Sequence, residues 1–444
     1  MCCTSATHIH KMATPVPLCY LSRLSVGIFV SGSPLRASTG HFLVSVKQTF
    51  FLEAKQMKKV LLSTAALGML FAATPALAQD GGFTATVGGY MKAYLGWAGL
   101  DEGSLPAPGV AEQQDVDMVR DTELHVNFEQ VTSNGLTFGA QIELEVDNGD
   151  GSGVDESYGY VSGSWGRVNF GTEDGAAYLL QVAAPSADTN IDGLRQFVNP
   201  FAYSQTDLAG QALTRGGAVS TYLSGEFDYD NDLTSGVDKL TYLTPVFSGF
   251  QAGLSWTPDV DNFADISNSL GGFNLDDQGD EFGQAWEVGA RWEGTFNNVG
   301  INVGGGYTTV DMENDVFGPV AFDDFDEWNV GLDLNIGAFG IGAAYTENNG
   351  GVSANGDEET WVVGADYTTG PYTIGVSYLD KSIDIGVNDH VNSDRMTGGV
   401  TYSYAPGVTF SGTIQHVEHD ITGAGAGDED TDGTAVLVGS IFRF

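Results

Sequence analysis

The side chains that could do chemistry in this 444-residue chain are overwhelmingly carboxylates. They gather in short runs: Asp228, Asp230 and Asp232; Asp276, Asp277, Asp280 and Glu281; Asp323, Asp324 and Asp326; Asp428, Glu429, Asp430 and Asp432. Hard divalent cations prefer several carboxylate oxygens, so calcium is the ligand such runs suggest, first of all at Asp228, Asp230 and Asp232. That run begins like a helix–loop–helix calcium loop. It departs at the sixth place, Leu233 for Gly, and at the twelfth, Lys239 for Glu. A solvated charge run is therefore the stronger expectation, and no cofactor is required. Catalytic groups are sparse. The three cysteines, Cys2, Cys3 and Cys19, all lie near the N-terminus. His416 and His419 are three apart, which on a strand puts them on opposite faces. No nucleophile elbow occurs, and Gly304-Gly305-Gly306 lacks the helix that a phosphate loop needs. The alternative to a non-enzymatic reading is a barrel with a Ser–His hydrolase pair, or one with a structural or cation-binding role.

Composition narrows the classes further. Lys and Arg number 17 against 58 Asp and Glu, a net charge of -41, the reverse of what phosphate neutralisation needs, so nucleic acid is excluded as a partner. The 11% aromatics argue against a disordered acidic tail, and 61 glycines against a helical bundle. Met57-Lys58-Lys59, an apolar run from Val60 to Phe71, and Ala76-Leu77-Ala78 have the layout of a secretory signal peptide over 57–78. Met57 is the expected start, and 1–56 reads as a disordered upstream extension outside the working protein. From Gln79 onward there are ten basic and 57 acidic groups and no cysteine, so no disulfide supports the exported chain.

The elements that must position these groups are strands. Leu136 to Val146 alternates Leu, Phe, Ala, Ile, Leu and Val with Thr, Gly, Gln, Glu and Glu. The same period of two recurs at Trp286–Trp292, Trp328–Ile336, Trp361–Tyr367 and Tyr372–Tyr378. About 16 such strands are expected, joined alternately by tight turns and by long Asp/Asn/Gly-rich connections. Turn chemistry marks Ser133-Asn134-Gly135, Ser248-Gly249, Asn297-Asn298, Gly337-Ala338, Gly370-Pro371 and Pro406-Gly407. The long connections fall near 98–117, 147–156, 172–237, 258–283, 310–327, 347–359, 380–394 and 418–432. A soluble β-sandwich would also alternate. Aromatics six apart on the apolar face argue for a membrane barrel instead: Phe250/Trp256, Trp286/Trp292, Phe339/Tyr345, Trp361/Tyr367 and Tyr372/Tyr378. The opposite face carries Glu143, Glu145, Glu287, Arg291, Glu293, Asp333 and Asp366, which suits a wet lumen. The expected fold is all-β: a transmembrane, antiparallel, up-and-down β-barrel with short periplasmic turns and long external loops, over 79–444.

Several stretches carry a family resemblance: Asn134 to Ala140, Tyr158 to Gly163, Asp174-Gly175-Ala176-Ala177, Leu240 to Phe250 and the terminal Phe444. In their order the chain resembles the general bacterial porins of Gram-negative outer membranes, in the alphaproteobacterial trimeric style. The resemblance implies a homotrimer embedded in lipid and lipopolysaccharide. It also implies a terminal strand, with Phe442 and Phe444, read by the outer-membrane assembly machinery. It further implies a third loop folded into the pore, here 172–237 with Glu173, Asp174, Asp188, Asp192, Arg195, Asp207 and Arg215. Such porins set wall bases against loop acids. By parity Lys92, Arg167, Lys239, Arg291 and Arg395 face the polar side, too few and too dispersed for a strong transverse field. Most acids lie in the long connections, with only Arg195, Arg215 and Lys381 as bases there. The expected function is passive diffusion of small hydrophilic solutes and ions, with cations preferred.

Overall fold

Period-two alternation folds here into a closed antiparallel barrel. The computed structural model describes residues 82–101, 114–146, 153–188, 191–201, 227–260, 281–313, 323–351, 356–386, 389–423 and 429–444. The expected extension at 1–56 and signal peptide at 57–78 lie outside these residues, as do Asp207, Arg215, Asp276, Asp277, Asp280 and Asp428. The first strands are β1 (Thr84–Asp101), β2 (Val116–Val131), β3 (Thr137–Glu145), β4 (Gly153–Gly163) and β5 (Gly166–Thr172). A one-turn helix α1 (Ala176–Leu179) and a small hairpin of β6 (Ile191–Asp192) and β7 (Arg195–Gln196) follow. The wall resumes with β8 (Asp238–Leu243), β9 (Phe250–Thr257), β10 (Glu281–Phe296), β11 (Val299–Glu313) and β12 (Phe325–Ile336). It is completed by β13 (Phe339–Asn348), β14 (Glu358–Thr369), β15 (Tyr372–Gly386), β16 (Asp389–Ala405), β17 (Val408–Thr422) and β18 (Glu429–Arg443).

Sixteen of these strands form the wall, each beside its chain neighbour except where β5 pairs with β8 across the inserted segment. The ring closes where β18 pairs with β1, and the last residue is part of the seal. Gly89 and Phe444 exchange backbone hydrogen bonds of 3.1 Å. Gly89 sits at φ 145°, and a Cβ there would meet the Glu123 carbonyl, so a side chain would strain the β1–β2 pairing beside the seal. The tight turns use the expected residues: Asn297 and Asn298 both take positive φ, 48° and 66°, between β10 and β11.

Outward-facing aromatics form two girdles. In the upper one Trp256 packs on Trp286, and Tyr345 on both Trp328 and Trp361, with ring centroids 4.3–6.2 Å apart. Its tyrosines donate to carboxylates on the same outward face: Tyr307 to Asp326, Tyr345 to Glu347 and Tyr378 to Asp394. The lower girdle includes Phe339 on Tyr367 and Tyr372 on Tyr402.

Beyond the upper girdle the strands continue but their apolar face inverts. On β15 the outward residues pass from Tyr372, Ile374, Val376 and Tyr378 to Asp380, Ser382 and Asp384. The inward ones pass from Thr373, Gly375 and Ser377 to Leu379, Ile383 and Ile385. These join Val391, Val417, Ile421 and Ala435 in an apolar core with Leu194, Phe201, Phe227 and Tyr229 of the inserted segment. The expected long connections at 380–394 and 418–432 are therefore mostly strand. Outside the bilayer, water sets the outward face and the inserted segment sets the inward one. Lys381, expected in a loop, is an inward side chain of β15, paired with Glu358 at 2.7 Å.

Candidate functional site

The segment after β5 enters the lumen and lies along the wall as a strap. Residues 176–188 touch the inner faces of β9 to β17. Crossing from β10 to β16 takes six strand spacings of about 4.8 Å, which eleven extended residues of about 3.3 Å each can span. Glycines let the backbone lie flat. A Cβ at Gly289 would stand 2.2 Å from the Ala176 carbonyl, one at Gly331 2.0 Å from that of Val182, and one at Gly364 2.0 Å from that of Pro185. Gly399 receives Ala187 in the same way.

Polar wall groups fasten the strap. Ser255 Oγ accepts from Ala176 N at 2.8 Å, and Glu287 accepts from Ala177 N at 3.2 Å and from Thr234 Oγ1. Lys239 Nζ donates to the carbonyls of Glu173, Thr234 (2.6 Å) and Val237 (3.1 Å). At the far end Thr413 Oγ1 donates to Asp188 at 2.7 Å, and Arg395 Nη1 to Gln196 Oε1 at 2.5 Å. The returning limb is locked on by Tyr229, whose hydroxyl accepts from Ala184 N at 3.2 Å, and whose carbonyl accepts from Thr346 Oγ1 at 2.9 Å.

All five bases expected on the polar face do turn inward, but they are committed to structure. Lys239 and Arg395 are 4% and 2% exposed and hold the strap. Arg291 is buried in the wall. Lys92 lies 3.9 Å from Asp121 and over the rings of Tyr90 and Phe197. Arg167 lies 3.9 Å over the Tyr160 ring and donates to Asn169. Arg195 is bound to Asp230 and, at 2.6 Å, to Asp232. Two of the three aspartates named as calcium candidates, Asp230 and Asp232, thus share a guanidinium, and Asp228 accepts from Gln196 N. Asp192 lies in β6 opposite Arg195.

The acids are arranged differently. The strap covers β9 to β17, so the inner face of β2 and β3 stays opposite it. There Asp121, Glu123, Glu143 and Glu145 share one face, with Glu123 directly opposite Glu145 and His125 opposite Glu143. Asp121, Glu123 and His125 are the lumen residues that sequence reasoning passed over. Extending the parity of Glu143 and Glu145 across the β2–β3 pairing identifies them. At the root of the strap, burial pushes the Glu173 carboxyl up to about 7 and that of Asp174 to about 6, against the pull of Arg167 and Arg195 respectively. Burial likewise raises Asp228 to about 7, with Asp230 adding to the rise.

Known proteins share this architecture. A family model described as Gram-negative porin matches residues 63–422. An uncharacterised protein of Rickettsia felis is 29% identical over 152 residues, 31% of this chain and 33% of that one. One of Rickettsia prowazekii is 29% identical over 143 residues, 30% of this chain and 31% of that one. The chain thus spans about a third of the length of these curated relatives. Among solved structures, an anion-selective porin from Comamonas acidovorans is 15% identical with a TM-score of 0.52, covering 82% of this chain and 100% of that one. A loop-deletion mutant of OmpT, an outer membrane protein of Vibrio cholerae, is 14% identical with a TM-score of 0.51, covering 82% and 100%. These identities speak to the fold alone. With the family match running over most of the barrel, the chain belongs to the Gram-negative porins of the outer membrane.

Proposed function

We propose that the barrel is a water-filled channel for passive diffusion of small hydrophilic solutes and ions, that it prefers cations, and that it works as a homotrimer. The observation that carries the cation preference is the unequal commitment of the two charge signs. Lys92, Arg167, Lys239 and Arg395 are engaged with the strap, with rings or with acids, and Arg291 is buried in the wall, whereas Glu143 and Glu145 on β3 remain partly exposed opposite the strap. Acid-lined, low-dielectric walls raise local cation concentration. The trimer is supported by the upper girdle. Its rings run over β9 to β15, whereas, Trp97 apart, the upper outward face of β16–β18 and β2–β4 presents Met396, Ile414, Val436, Met118 and Val154. A face packed on a neighbouring subunit needs no interfacial anchors. Phe442 and Phe444, exposed on the closing strand, are the proposed assembly signal. Single-channel recording of the refolded chain tests the proposal. Stepwise openings in threes, carried mainly by the cation, are expected; a folded barrel without conductance would contradict it.

A further inference from the structure

Three lumen-facing side chains on β2 and β3, Glu123, His125 and Glu143, converge so that one potential ligand atom of each lies within 4.8 Å of the others. The register enforces this: His125 stands directly opposite Glu143, and Glu123 is the next inward residue on β2. His125 and Glu123 are 4% and 6% exposed. The imidazole is flanked on both sides, with Nε2 2.9 Å from Glu123 Oε1 and Nδ1 3.3 Å from Glu143 Oε1. Buried Nε2 makes no hydrogen bond of normal geometry, although Glu123 Oε1 lies 2.9 Å away. The imidazole and the Glu123 carboxylate are held side by side, as two ligands of one cation would be. Glu145, opposite Glu123, adds a buried oxygen with no hydrogen-bond partner among the described residues. A cation bound among carboxylates gathered this closely in a low-dielectric wall would offset their repulsion and desolvation.

We propose that Glu123, His125 and Glu143 form a binding site on the lumen wall for a first-row divalent transition cation of the zinc type. Imidazole with carboxylates is a donor set for such ions, with bonds of about 2.0–2.2 Å, whereas calcium and magnesium take oxygen alone. Whichever ring nitrogen meets the ion, the other stays beside a carboxylate that fixes its tautomer. A bound ion would add positive charge to the acidic wall that faces the strap, and so reduce cation flow. The effect on current rests on the channel reading above; the binding does not.

The test uses zinc chloride and the folded chain in detergent, with binding read by calorimetry and conductance read in bilayers. Wild type is expected to bind zinc in the micromolar range and to lose cation conductance reversibly on its addition, with chelator restoring it. Calcium at the same concentration is expected to leave the current unchanged. His125→Asn and Glu143→Gln should each weaken zinc binding by about tenfold or more, while His416→Asn, on the outward face, should not. Heat-modifiable gel migration verifies that each variant is folded. Absence of zinc binding by the wild type, or equal binding by His125→Asn, would overturn the proposal. Zinc binding by a protein that carries no current would leave the site standing and remove the channel reading instead.

Discussion

Lys239 shows how a single side chain changes meaning between sequence and structure. Its parity marks it as an inward base, and a base facing a pore suggests a field across the opening. Its ammonium instead gathers three carbonyls at the root of the strap. Nothing in the one-dimensional pattern distinguishes an inward lysine that faces water from one that ties a loop, because the partners are backbone atoms of a distant segment. Lys239→Met leaves those carbonyls buried without a donor, at a cost on the order of 3 kcal/mol. A lower temperature for the heat-modifiable gel shift and noisier open-channel current are expected. The strap acids give a second residue-scale prediction. Burial holds Glu173 and Asp228 near 7 and Asp174 near 6, so in the fold they are largely protonated at pH 5 and ionise by pH 8. Cation selectivity should therefore rise over that interval. Because these folded values are raised, their contribution to holding the strap is largest in acid and is lost as pH rises through about 7. Selectivity that does not vary from pH 5 to 8 would contradict this account.

At the scale of elements, the strands were legible and the path of the strap was not. A wall strand announces itself through alternation, and the turns through Gly and Asn. The upper ends of β15 to β18 were misread because alternation persists there with its phase inverted. Asp380 and Asp384 take the outward positions that Ile374 and Val376 hold lower down. A reading that follows one apolar face stops at that inversion and assigns a loop. The strap is invisible for another reason. Gly289, Gly331 and Gly364 look like ordinary barrel glycines until cross-strand pairing lines them up under residues 176–185. Gly364→Val would drive a side chain into the Pro185 carbonyl and lift the strap, at about 1–3 kcal/mol. An assembled barrel with altered unit conductance is the expected result. Gly412→Ala, whose added carbon meets only Val400 Cγ1 at 4.0 Å, should conduct as wild type. Equal conductance of Gly364→Val and wild type would mean that the strap does not set the opening.

For the whole molecule, the net charge of -41 resolves into separate populations with different tasks. Outward acids such as Asp380, Glu418 and Asp432 crown the barrel above its aromatic girdle. Glu287 and Asp188 pin the strap to the wall. Asp121, Glu123, Glu143 and Glu145 face the opening, where the bases are already engaged. This last group sets the sign of the current in the proposed channel. The reversal potential of the refolded wild-type channel in a potassium chloride gradient at pH 8 tests it most directly. A reversal potential displaced toward that of potassium is expected. A value at zero, or one displaced toward chloride, would contradict it.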